Sequence, residues 1–280
     1  MAVITEEEAK DIVRRMGKPT LEFAASIVAP IYWPVRNADG TVIARNGTAF
    51  FLKTDQAVFG VTAAHVIEGR NSWRSHCEIH GNTKLRLGGR NGNSVSFDWD
   101  ARSIDINLGM DIATFAISER EIEHIDRIVY SGFRNGWPPA PPKERQGIIY
   151  AGFPAVGTRV MSPHAAQFGV LCGTGLVSSV SELNISSLLE RPYLEATLGE
   201  GVPPENFDFG GISGAPMLYV TLTQAGLFLN SFAGVIFSGP NTSENAGEAI
   251  KGFELIRARR ARFIRADGFL DHSNWESLRL

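Results

Sequence analysis

The chain has 280 residues, 44% of them hydrophobic, which suffices for one large domain or two modest ones and excludes a disulfide-dependent miniprotein. Its 27 Lys and Arg against 30 Asp and Glu leave a formal charge of −3, so no global field draws it toward nucleic acid or an anionic membrane. The two cysteines, Cys77 and Cys172, match no metal or redox spacing and read as reduced thiols.

In chain order, the opening MAVITEEEAKDIVRRMG carries acids where a secretory leader carries bases, and no apolar run follows. No later stretch is long enough without charge to cross a bilayer, so the expectation is a cytoplasmic protein with neither membrane nor nucleic-acid partners. The sequons at Asn46, Asn184 and Asn241 then read as chance matches. Thr5 followed by Glu8 forms a capping-box pattern and Gly17 supplies a stop, which predicts a helix over 6–16 within an N-terminal segment 1–20.

Strand-like runs follow: GTAFFL, AVFGVTAAHVI, KLRLG, VSFDWD and DIATFAI, rich in β-branched and aromatic residues and separated by Gly, Asn and Asp. Gly40 after Asp39 and Gly92 after Asn91 mark tight hairpins. Residues 21–134 therefore read as a first antiparallel β unit. The stretch 135–147, NGWPPAPPKERQG, holds four of the 14 prolines and predicts an exposed, stiff linker. Beyond it GIIYAGF, AAQFGVLCG, GLVSSV, APMLYVTLT and GLFLNSFAGVIFSG make a second β unit over 148–252. The tail FELIRARRARFIRADGF places Ile256, Phe263 and Ile264 at helical spacing among Arg257, Arg259, Arg260, Arg262 and Arg265. It predicts an amphipathic helix within 253–280, with the arginines on its solvated face.

Acyl transfer by a serine needs a base in reach, an acid to hold that base in one tautomer, and backbone N–H donors for the oxyanion. Three segments offer these parts. VTAAHV places His65 after small residues that leave room for an imidazole, MDIATFAI places Asp111 at the mouth of an apolar run, and FGGISGAP places Ser213 between glycines. Asp105 is the rival acid, in a loop-like IDINLG run. His76, His80, His124, His164 and His272 lack comparable surroundings; His76 and His80 flank Cys77 without a fourth ligand, so no metal is expected. LGGRNGNS lacks the Lys-Ser/Thr of a phosphate loop.

The order His65, Asp111, Ser213 differs from the orders of subtilisins and α/β-hydrolases, and Ala215 stands where the nucleophile elbow of the latter needs glycine. With NGTAFFL before the histidine, AGFP at 151–154 and FAGVIFSG after the serine, the chain from about Asn46 to Phe253 resembles trypsin-like serine peptidases of the bacterial intracellular type. That resemblance implies an all-β chymotrypsin-like fold of two six-stranded antiparallel barrels, here with short N- and C-terminal helices. The first barrel would supply His65 and Asp111, and the second Ser213. It further implies an oxyanion hole from the N–H groups of Gly211 and Ser213, no cofactor, and protein or peptide substrates. Counting back six residues from Ser213 gives a specificity-pocket floor at Phe207 or its neighbour Asp208, with Phe237, Ser238 and Gly239 beside it.

Two positions depart from the family pattern. Ile212 stands where digestive members carry an aspartate, so activation through an ion pair to a new N-terminus is not expected. Phe237 stands where many relatives place a serine that supports the aspartate. The reading is therefore a serine endopeptidase, either constitutively active or latent until an activating protein partner reshapes the oxyanion loop. The alternative is a non-catalytic module of the same fold that binds a protein through the cleft.

Overall fold

The structure, a computed structural model, describes residues 19–36, 39–72, 84–131, 133, 136–162, 165–190, 210–222, 228–239 and 253–278. The expected helix over 6–16 lies outside them; residues 19–26 are helical. Among the described residues, no helix is long and apolar enough to cross a membrane.

The first half forms one antiparallel sheet of β1 (Val28–Arg36), β2 (Val42–Lys53), β3 (Val58–Thr62), β4 (Leu85–Gly88), β5 (Ser94–Phe97), β6 (Ser103–Asn107) and β7 (Ile112–Ala116). The strand order is β5-β4-β1-β2-β3-β7-β6. Gly40 and Gly92 adopt the left-handed φ of +84° and +82° that glycine accommodates, in β1–β2 and β4–β5 connections (37–41 and 89–93) that are longer than the tight hairpins expected. β1 contains Pro30 and Pro34, and it pairs with β4 only through Ile31 and Tyr32, between the two residues that lack a donor.

The sheet is curled, with seven strands rather than six, and its edges β5 and β6 are not hydrogen-bonded to each other. The edges are neighbours in sequence, joined by one helical turn, Trp99–Arg102. The curl is thus bridged by the chain itself, with buried Trp99 packed 6.0 Å from Phe115.

In the second half β8 (Gly147–Gly152) is followed by the β9 (Thr158–Ser162) and β10 (Ala165–Phe168) hairpin. Then come β11 (Leu171–Val180), β12 (Asn184–Glu190), β13 (Pro216–Leu222), β14 (Phe228–Ser238) and β15 (Phe253–Arg260). Six of these close a barrel in the order β11-β12-β15-β14-β13-β8. A closed barrel beside a curled sheet is consistent with the chymotrypsin-like two-barrel arrangement.

The tail corrects one expectation. Residues 253–260 form strand β15, not an amphipathic helix; a 3₁₀ turn (Ala261–Phe263) follows, and the C-terminal helix is the short His272–Ser277. Closure decides this: β15 pairs with β12 from Phe253 to Arg259 and with β14 around Gly234–Ser238, so its backbone groups are used on both sides. In strand register Ile256 and Ala258 are buried while Arg257 is exposed, a period-two pattern that the arginines obscure.

Among the described residues, three hydrophobic clusters form the core. One fills the first sheet, including Ile31, Phe51, Ile67 and Phe97. A second fills the barrel around Ile148, Tyr150, Met217 and Ile256. The third joins the halves, with Phe50 of β2 5.3 Å from Phe232 of β14. The proline-rich linker contributes to that seam: the Trp137 ring stacks 6.1 Å from Phe232 and its Nε1–H donates to the Ile264 carbonyl at 2.7 Å.

Cys172 is a free thiol beside this seam, and burial pushes its pKa up to about 11. The thiolate is the nucleophile, so at pH 8 native Cys172 should react with iodoacetamide about 100-fold more slowly than in the unfolded chain. Mass-spectrometric mapping of the Cys172 peptide with and without urea checks this. Because the raised pKa favours the protonated folded state, the associated stability is present below about pH 9 and is lost as pH rises toward 11.

Candidate active site

β3 ends at Thr62, and the chain turns through Ala63 into the helix Ala64–Ser72. Ala63 and Ala64 are fully buried, so only small side chains allow the strand to pass into the helix under the sheet. His65 therefore lies in the first turn of a helix rather than in the strand-like run AVFGVTAAHVI expected around it, and its ring reaches the surface.

Asp111 lies in the turn between β6 and β7 at φ +58°, a left-handed conformation that costs a non-glycine residue about 1–2 kcal/mol. The turn is over-determined. The Asn107 side chain accepts from Met110 N–H at 2.8 Å, and both Asp111 oxygens are engaged by His65. Oδ1 accepts the His65 backbone N–H at 2.9 Å and Oδ2 accepts the ring Nδ1–H at 2.7 Å. With the proton held on Nδ1, Nε2 of a neutral ring keeps its lone pair for a substrate or nucleophile proton.

Ser213 follows the oxyanion-loop candidates Gly210 and Gly211. Gly211 has φ +96°, and a Cβ there would lie 2.5 Å from the Phe153 carbonyl. The loop is pinned from the first sheet by Thr48: its N–H donates to the Ser213 carbonyl at 2.9 Å, and its hydroxyl donates to the Gly211 carbonyl at 2.8 Å and accepts Phe153 N–H at 3.0 Å. From the barrel side, Gly214 N–H donates to Ile236 and Ala155 N–H to Gly210. Ile212 is 1% exposed and belongs to the barrel core. Where an aspartate would anchor the loop by charge, this chain buries an apolar side chain.

His65, Gly211 and Ser213 line one cleft of about 300 Å³, together with Trp33, Arg45, Asn46, Val66 and Gly69. Asn46 is fixed by donating to the Phe153 carbonyl at 2.7 Å and accepting from Thr158 at 3.1 Å.

The rival acid Asp105 is occupied elsewhere. It accepts from Leu270 N–H at 3.0 Å and Ile106 N–H at 2.8 Å, and contacts His272 Nε2 at 3.0 Å. The Asn107 amide faces His272 Nδ1 at 2.9 Å. Since Asn107 Oδ1 accepts from Met110, its Nδ2 donates to His272, which places the His272 proton on Nε2, toward Asp105.

Of the suggested pocket residues, Phe207 and Asp208 lie outside the described residues, as do His76, Cys77, His80 and His164. The Phe237 ring lies 4.5 Å from the Arg259 guanidinium, and Ser238 ends β14 before Gly239. Sequence reasoning overlooked two residues here. Thr48 is the threonine of NGTAFFL, and a polar residue inside an apolar strand run was its signal. Arg259 was read as solvated and is 7% exposed, with no local signal to separate it from its four neighbouring arginines.

No family model matches the chain, and no curated protein matches it. Among solved structures it is similar to the active form of the Rv3671c protease from M. tuberculosis, at 13% identity, over 88% of this chain and 81% of that one, with a TM-score of 0.47.

Proposed function

We propose that this protein is a serine endopeptidase acting on proteins or peptides, with Ser213 as nucleophile, His65 as general base and Asp111 holding the imidazole. The observation that carries the reading is the arrangement of the cleft: a histidine bound twice by one carboxylate shares it with a serine that follows a glycine loop. Ser213 Oγ attacks the scissile carbonyl carbon as His65 Nε2 takes its proton. The oxyanion meets the N–H groups of Gly211 and Ser213, each such donor typically contributing about 2.7–4 kcal/mol to barrier lowering. His65 then passes the proton to the departing amine, and water, deprotonated in the same way, cleaves the acyl ester.

Asp111 stays ionised throughout, and no cofactor enters. Thr48 holds the oxyanion loop by hydrogen bonding and Ile212 by burial in the barrel core, so the reading calls for no ion pair to a newly cleaved N-terminus.

The test is covalent. Native protein incubated with a fluorophosphonate should carry one adduct, mapped to Ser213, and urea-unfolded protein should carry none. An unmodified Ser213 in protein of native circular dichroism and melting behaviour, both alone and after addition of cell extract, would reject the reading and favour the non-catalytic alternative.

A further inference from the structure

Asp111 is held at a left-handed φ in a turn of the first sheet, yet the residue that grips that turn from behind belongs to the barrel. Arg259, on β15, donates from Nε to the Met110 carbonyl at 2.7 Å and approaches the Gly109 carbonyl with Nη2 at 3.5 Å. Its Nη1 donates to Asn184 Oδ1 at 2.6 Å. The guanidinium lies 4.5 Å from the Phe237 ring and 4.4 Å from the Trp275 ring. A planar, permanently charged group meeting two rings and three hydrogen-bond acceptors has little freedom to move.

We propose that Arg259 is the positioning residue for Asp111. The inference rests on the peptidase reading for the role of Asp111, but its geometry stands on its own contacts. The carbonyl of Met110 belongs to the peptide plane that leads into Asp111, so anchoring that oxygen fixes the plane from which the carboxylate projects toward His65. Phe237 has no hydrogen bond to offer a carboxylate; its ring instead lies against the cation that orients the acid's backbone. The acid is thereby aligned from the other half of the molecule, and the seam between sheet and barrel becomes part of the active geometry. Lysine would keep the charge without the flat face or the multiple donors of a guanidinium.

The experiment compares wild type, Arg259→Met and Arg259→Lys. One measurement is the rate of fluorophosphonate labelling at Ser213. The other is the downfield ¹H resonance of the His65 Nδ1–H, identified by its loss in His65→Ala. In Arg259→Met labelling should slow by about 100-fold, the size of effect that a misplacement near 1 Å produces, and the resonance should move upfield or broaden away. Arg259→Lys should show a smaller change in the same direction.

Ile185→Val, a change in the barrel core, is the control: it should lower the melting temperature and leave the resonance in place. If Arg259→Met does not fold, Arg259→Lys decides. Folded variants that label within twofold of wild type and keep the resonance would overturn the inference while leaving the peptidase reading intact. A wild type that never labels would overturn the peptidase reading, and the resonance would then decide the inference alone.

Discussion

Replacing His65 by alanine is expected to slow acylation of Ser213 by about 10⁶-fold, and Asp111→Asn by about 10⁴-fold, in labelling followed by intact mass at pH 8. The first removes the base. The second follows from this particular pair of hydrogen bonds. Because one oxygen of Asp111 accepts the backbone N–H of His65, an asparagine there keeps its Oδ1 on that donor and turns its NH₂ toward the ring. Nδ1 must then accept, the ring proton moves to Nε2, and the nitrogen facing the cleft can no longer take a proton from Ser213. Asp105→Asn is the internal control, since its carboxylate serves Leu270, Ile106 and His272; acylation should stay within a few-fold of wild type. Equal losses in the two asparagine variants would mean that the acids had been assigned to the wrong roles.

Gly214→Ala should produce the largest loss of stability of any single methyl addition near the site. Gly214 has φ +91°, and an added Cβ would lie 2.1 Å from the Thr48 carbonyl oxygen and 2.6 Å from the Thr62 hydroxyl. The nearest atom is backbone in a paired central strand, so the clash cannot be relieved by a side-chain rotation. A left-handed alanine costs about 1–2 kcal/mol and overpacking a further 1–3, giving about 2–5 kcal/mol from the urea midpoint at constant m-value. The Thr48 N–H bond to Ser213 lies at the same contact, so loss of labelling should accompany the loss of stability. A midpoint within about 0.5 M of wild type would contradict this packing.

Much of the architecture was legible because strands announce themselves locally. β2, β3, β7, β8, β13 and β14 all lie in apolar, β-branched or aromatic runs, and Gly40 and Gly92 take the left-handed φ that glycine permits in the connections they mark. β1 escaped notice because Pro30 and Pro34 demote a strand in any local reading, whereas its long ladder to β2 tolerates them. His65 was read within a strand-like run because apolar residues dominate AVFGVTAAHVI; the switch to helix at Ala64 depends on what the two alanines pack under.

The same limit governs the acids and the arginines. Asp105 and Asp111 are six residues apart, and although the sequence favours Asp111 at the mouth of its apolar run, it is the partners they meet, His272 from the C-terminal helix and His65 from the helix after β3, that separate their roles. The five tail arginines look alike in sequence, yet Arg259 is buried between aromatic rings while Arg260 and Arg262 pair with Glu182 at the surface.

By itself the sequence determined the β class, the principal turns, and the three short segments that carry an imidazole, a carboxylate and a hydroxyl in a defined order. Each is a property of a few adjacent residues and survives without its partners. Only the tertiary structure decided that residues 253–260 close a barrel as a strand, that Asp111 and not Asp105 binds His65, and that Arg259 grips the turn between them. Those outcomes depend on hydrogen-bonding groups and charges brought together from more than 40 residues away (for His65 and Asp111, 111 − 65 = 46), and no local pattern encodes which distant partner will satisfy a buried polar group.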